Sequence, residues 1–190
     1  LGNFDGFTLG LDAVPEQEAT YASDGFASAY GNARFSAEAR ELPDPEPDAG
    51  ILPSSSVPFD QLVAFDAAHY FGPRPAFLRA WIKGEGRQSL IATDGTSITG
   101  FVASRPTRTG NRIGPFFAAN ATIAGNLLLE LATRLTGPVS IDAPEPNQAA
   151  SDLFTSLGMK RSFPTIRMYR SLPPDLPLDR IFGITTLELG

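Results

Sequence analysis

The chain has 190 residues, of which 42% are hydrophobic and 19% charged, with a net charge of −6, a single histidine (His69) and no cysteine. This balance describes one large or two small folded domains and excludes a disordered chain. It also excludes disulfides, thiolate metal sites, cysteine nucleophiles and a histidine metal cluster within one chain. The negative charge argues against a nucleic-acid partner, because phosphate contacts supply most of that affinity. No apolar run approaches the ~18–20 residues of a membrane span, so no membrane partner is expected. The N-terminus carries no basic-then-apolar signal pattern, and the expected location is the cytoplasm.

In chain order, "TLGLDAV" (8–14) reads as a strand, "PEQEATYASDG" (15–25) as a helix with Pro at its start, and "ASAYGNARF" (27–35) as a strand. The stretch "ARELPDPEPDAGILPSSS" (39–56) is rich in proline and acid, a linker composition. It divides the chain into 1–38, a linker at 39–49, and 50–190. A short strand near "GILP" (50–53) is followed by helices in "PFDQLVAFDAAHY" (58–70) and "PAFLRAWIK" (75–83). "SLIATDGTSITGFVAS" (89–104) is a hairpin around Asp94-Gly95, a dipeptide that accepts the positive φ of a tight turn.

"RIGPFFA" (112–118) is a further strand and "GNLLLELATRL" (125–135) a helix. "PVSIDA" (138–143) is a buried strand, "NQAASDLFTSLG" (147–158) a helix closed by Gly158, and "RSFPTIRMYR" (161–170) gives one or two last strands. The closing "GITTLELG" alternates like an edge strand that pairs with a neighbouring copy or a second chain. The resulting layout is α/β.

The chain repeats itself. "YASDGFASAYGNARF" (21–35) aligns with "FTSLGMKRSFPTIRM" (154–168) with three identities, Ser23/Ser156, Gly25/Gly158 and Arg34/Arg167, and "LDA" (11–13) answers "IDA" (141–143). The expected reading is two copies of one unit in tandem, the first lacking its front.

The element order over 50–190, with Asn147, Ala150, Leu153, Phe154, Gly158 and Met159 in "NQAASDLFTSLGM", resembles the GCN5-related N-acetyltransferase (GNAT) superfamily. The resemblance implies a GNAT-like mixed sheet flanked by helices: one complete C-terminal domain plus the C-terminal remnant of a first. It implies acetyl transfer from acetyl-CoA to a primary amine on a small molecule, without a metal. The family's helix after the fifth strand often carries a tyrosine that protonates the departing thiolate, since a phenol near pKa 10 can donate to sulfur. Phe154 cannot do so. Tyr21 stands at the matching place in the first copy and is the catalytic candidate, although a half-buried packing tyrosine is its plain reading.

The resemblance further assigns Asn147 to the cofactor cleft, where it also reads as a helix N-cap. It assigns Phe117 and Ala118 to the splayed strand that holds the oxyanion, and Ala124 to the pyrophosphate cradle. The other cradle positions, Ala119 and Thr122, depart from the family's Gln/Arg and Gly, so the second copy is expected to bind acetyl-CoA poorly or not at all. The alternative is a non-catalytic scaffold or ligand-binding module.

Arg105, Arg108 and Arg112 read either as a solvated turn or as a patch facing an acidic substrate or a phosphate. His69 and Asp66 form an acid/base pair or a surface hydrogen bond, and Glu145 activates an amine or caps a helix. The expected protein partner is a second copy or the missing N-terminal half.

Overall fold

A computed structural model describes residues 6–48 and 50–189. The first piece contributes β1 (Leu9–Ala13), α1 (Glu18–Ser23) and β2 (Ala27–Glu38). The longer piece follows with β3 (Ile51–Pro53), α2 (Phe59–Ala67), α3 (Pro75–Lys83), β4 (Gln88–Thr93), β5 (Ile98–Thr107) and β6 (Gly110–Ala118). It closes with α4 (Ala121–Ala132), β7 (Pro138–Pro144), α5 (Gln148–Ser156), β8 (Lys160–Arg170) and β9 (Ile181–Gly183).

All nine strands form one sheet in the order β1-β8-β2-β7-β6-β5-β4-β3, with β9 paired to β6. Only β6 and β7 run parallel; every other pairing is antiparallel. Side chains alternate across the sheet, as the two-residue period of a strand requires. Leu90, Val102, Phe116 and Ala118 therefore join α4 and α5 in one core, while Ile91, Phe101, Ala103 and Phe117 join α2 and α3 in another. The helices begin where their caps allow: Asn120 accepts from the Ile123 N–H at 3.0 Å, and Pro75 starts α3.

Residues 9–38 join the same sheet as the rest of the chain. β2 lies between β7 and β8, and β8 lies between β2 and β1, so each β-α-β unit places its last strand beside the other's first. The proline-rich stretch after β2 is also partly built in. Ala39 and Leu42 are buried in the α4 core, and the Ala39 N–H donates to the Gly137 carbonyl at 3.0 Å.

The three repeated identities have the same role at both places. The helix ends carry the same pair of backbone bonds, Phe26 to Tyr21 and Gly25 to Ala22, then Met159 to Phe154 and Gly158 to Thr155. Gly25 and Gly158 take the positive φ this ending needs, +87° and +74°. Ser23 and Ser156 each donate to the carbonyl three residues back. Arg34 sits opposite Asp142 and Arg167 opposite Asp12, so each copy's arginine meets the other copy's aspartate.

Candidate active site

The parallel pairing of β6 with β7 covers only Asn111–Ile113 against Val139–Ile141. Beyond Ile113 the strands part, which leaves a cleft whose backbone edges need partners. β9 fills it. Phe116 pairs with Gly183 and Phe117 with Ile181, while the Ile184 N–H donates to the Asp142 carbonyl at 2.9 Å. Phe182 joins the α4–α5 core, and Ile181 and Ile184 join the α2–α3 core. The fit is close at two glycines. A side chain on Gly114 would collide with the Ile184 carbonyl, and one on Gly183 would lie 2.9 Å from the Ile141 Cγ2.

This placement corrects the expectation that "GITTLELG" is an edge strand pairing with the neighbouring copy or a second chain: only its Gly183 lies in β9, and Ile181 through Thr186 are buried in the chain's own cleft.

The four residues expected to hold acetyl-CoA stand around this filled cleft. Asn147 is 2% exposed and fully engaged: its Oδ1 accepts from the Ala150 N–H and its Nδ2 donates to the Ile181 carbonyl, both at 3.0 Å. Phe117 is covered by β9, and Ala118 and Ala124 are buried. The space left between Tyr30, His69 and Phe117 is about 10 Å³, closed by Leu176, Ile181 and Ile184. An acyl-CoA arm does not fit this cleft as it is folded.

His69 and Asp66 do not pair. The His69 Nδ1–H donates to the Phe65 carbonyl at 2.8 Å, and the ring stacks on Phe117 with centroids 5.0 Å apart. Asp66 instead accepts two bonds from Arg74, at 2.7 and 2.8 Å. A planar fork satisfies a buried carboxylate better than one ring nitrogen can. Burial pulls the His69 pKa below its ordinary 6.5. Glu145 is exposed and pairs with Arg161.

The arginines divide. Arg105 and Arg112 face each other across β5 and β6, whereas Arg108 is exposed in the turn between them. Arg112 donates to Asp142 at 2.9 Å from one side, and Arg34 donates at 2.7 Å from the other. In the sequence Arg34 stands out only through its recurrence as Arg167, with Asp12 and Asp142 recurring beside them. With Thr186 and Glu188 these arginines enclose about 40 Å³. A bond to the Thr186 hydroxyl, then its own backbone N–H and the charges of Arg105 and Arg112, hold the Glu188 carboxyl below its ordinary range.

Tyr21 and Phe154 occupy corresponding positions before the two helix ends. Phe154 is fully buried against Phe35, with centroids 5.2 Å apart. Tyr21 is only half-buried, edge-on to Phe26 at 6.1 Å, and its hydroxyl makes no hydrogen bond among the described residues. A second cleft, of about 310 Å³, opens beside β1, between Leu11–Val14, Phe163–Thr165 and Leu187–Glu188.

Comparison with known proteins adds a family signal. The sequence pattern of the family described as "Acetyltransferase (GNAT) domain" matches residues 62–183. The chain is 32% identical over 185 residues to holothin acyltransferase of Pseudoalteromonas sp. (strain SANK 73390), covering 96% of this chain and 62% of that protein. It is 24% identical to the uncharacterized N-acetyltransferase YitH of Bacillus subtilis (strain 168), covering 95% of this chain and 64% of the relative. A crystal structure of a candidate acetyltransferase from Pyrococcus horikoshii superposes with a TM-score of 0.79 at 22% identity, over 96% of this chain and 60% of that one. The chain thus spans less than two thirds of the length of these relatives.

Proposed function

The chain belongs to the GNAT acetyltransferase family, and from that premise we propose that the protein transfers an acetyl group from acetyl-CoA to a primary amine on a small molecule. The reaction belongs to the cleft on the free edge of β1. Residues 9–38 are the closing β-α-β unit of one acetyltransferase domain, and 50–189 are a second domain that serves it as a scaffold. The relative named holothin acyltransferase supports the acyl-transfer part of this reading.

One observation carries this reading. The two aligned segments exchange strands reciprocally, yet among the described residues β9 fills the cleft at β6 while no strand pairs with the outer edge of β1. The filled cleft is also the one with Phe154 at the position of the proton donor. Tyr21 holds the matching position in the first aligned segment, on α1, which leaves the phenol partly exposed. Tyr21 is the group that supplies a proton to the leaving thiolate.

The test is thiol release from acetyl-CoA by the protein, in the presence of an amine. Tyr21→Phe should lower the rate about 100-fold, the lower end of what a general acid supplies. Phe154→Tyr should change nothing, because that cleft holds no substrate. An unchanged rate in Tyr21→Phe would remove the proton-donor role.

A further inference from the structure

The C-terminal segment passes through two sites. Ile181–Thr186 fill the cleft between β6 and β7, and the next residues, Leu187 and Glu188, border both the arginine cavity and the open cleft at β1. The tail of the scaffold domain therefore walls the cleft of the other repeat.

The repeat itself relates the two clefts. Tyr30 borders the filled cleft, and Phe163, its counterpart in the aligned repeat, borders the open one. In the filled cleft Leu176, Ile181 and Ile184 take up the space beside Tyr30. Beside Phe163 the Arg34 guanidinium lies over the ring at 4.5 Å and Leu187 and Glu188 border the space, yet about 310 Å³ stays open.

The chemistry of the lining is selective. Leu11, Val14, Phe163 and Leu187 make its walls apolar. Asp12 also lines it, but both of its oxygens are taken, one by Asn32 and one by Arg167 at 2.7 Å. Thr165 is 3% exposed, and its hydroxyl has no hydrogen-bond partner. A buried hydroxyl left unpaired costs free energy until a ligand or water completes it. Glu188 is the remaining ionised group, on the exposed side of the cleft.

We propose that this cleft receives the acyl acceptor and that Glu188, carried in by the tail of the scaffold domain, selects an acceptor with an apolar body and a protonated amine. The inference rests on the amine-acylation reading above and adds to it the class of acceptor and the residue that discriminates. Glu188 is a specificity determinant: it attracts the cation. The Thr186 hydroxyl and Glu188's own backbone N–H, then the charges of Arg105 and Arg112, favour its ionised carboxyl, and neither arginine lines the cleft.

Three probes of one shape test this on the whole chain: benzylamine, benzyl alcohol and benzoate, with binding followed through the backbone amide signals. Benzylamine should move the amides of Leu11, Thr165 and Glu188, and bind at least about tenfold more tightly than the alcohol, as loss of a charge-assisted hydrogen bond predicts. Glu188→Gln should remove that preference while leaving the thermal midpoint where it was. Preference for benzoate, equal binding of amine and alcohol, or amide shifts confined to the surroundings of Tyr30 would each overturn the assignment. Binding is read without turnover, so the two proposals fail separately. A chain that binds benzylamine here but transfers no acetyl group would defeat the proposed reaction and leave the amine site standing.

Discussion

Arg34 and Arg167 are the same residue of the repeat, and each is neutralised by the other copy. Arg34 bonds Asp142 at 2.7 Å and Arg167 bonds Asp12 at 2.7 Å, the latter with both side chains nearly free of solvent. Removing one partner of such a buried pair would strand a charge, at a cost of about 3–5 kcal/mol. The pairs therefore hold the register of the exchanged strands, since a one-residue slip would turn each arginine to the opposite face. His69 sets the response to pH. Its pKa is lowered in the folded state, so the unfolded chain binds the proton more readily. Stability is then full above pH 6.5, the ordinary histidine value, and declines as pH falls below it. The sequence has no other histidine, so a His69→Gln variant should show a flatter thermal midpoint between pH 5 and 7 than the parent. Equal slopes would mean that the carboxylates control that range.

At the scale of elements, β9 replaces by covalent attachment what a ligand would otherwise supply to the parted edges of β6 and β7. It brings Ile181, Phe182 and Ile184 into two cores at once. Because the Gly114 backbone lies against the Ile184 carbonyl, Gly114→Ala should be felt at the other end of the chain. Neither atom is the flexible end of a side chain, so β9 must shift or the strand must bend, at about 1–3 kcal/mol. Hydrogen exchange at the Ile184 amide should speed up in that variant, while the Leu128 amide in mid-α4 stays protected. Unchanged protection at Ile184 would show that β9 is not held by this contact. Much at this scale was legible in advance. The helix from Pro75 to Lys83 follows from its proline start and apolar face, and Asp94-Gly95 marks the turn between β4 and β5. The Asn147 cap and the Gly158 ending bound α5. The fate of the tail was not legible, because alternation in "GITTLELG" reports an extended segment and not the edge it meets.

Across the whole molecule, one sheet runs from β1 to β9, and β9 occupies the cleft between β6 and β7. A titration of the 190-residue chain with acetyl-CoA should therefore leave the backbone amides of Ile181–Thr186 unshifted. Shifts centred on those amides would mean that β9 yields to the cofactor and that the scaffold reading is wrong.

Neighbours along the chain dictate what could be read without the structure: the α/β layout, the helix caps and the turns. Each of these rests on spacing within a few residues, where periodicity and capping act. The tertiary structure alone decided which strand lies beside which. It set β2 between β7 and β8, joined Arg34 to Asp142, sent Ile181–Thr186 into the cleft, and brought Glu188 to the edge of the other one. Those outcomes depend on contacts between residues far apart in the chain, and on unpaired backbone edges that take a suitable partner, which a local pattern does not encode.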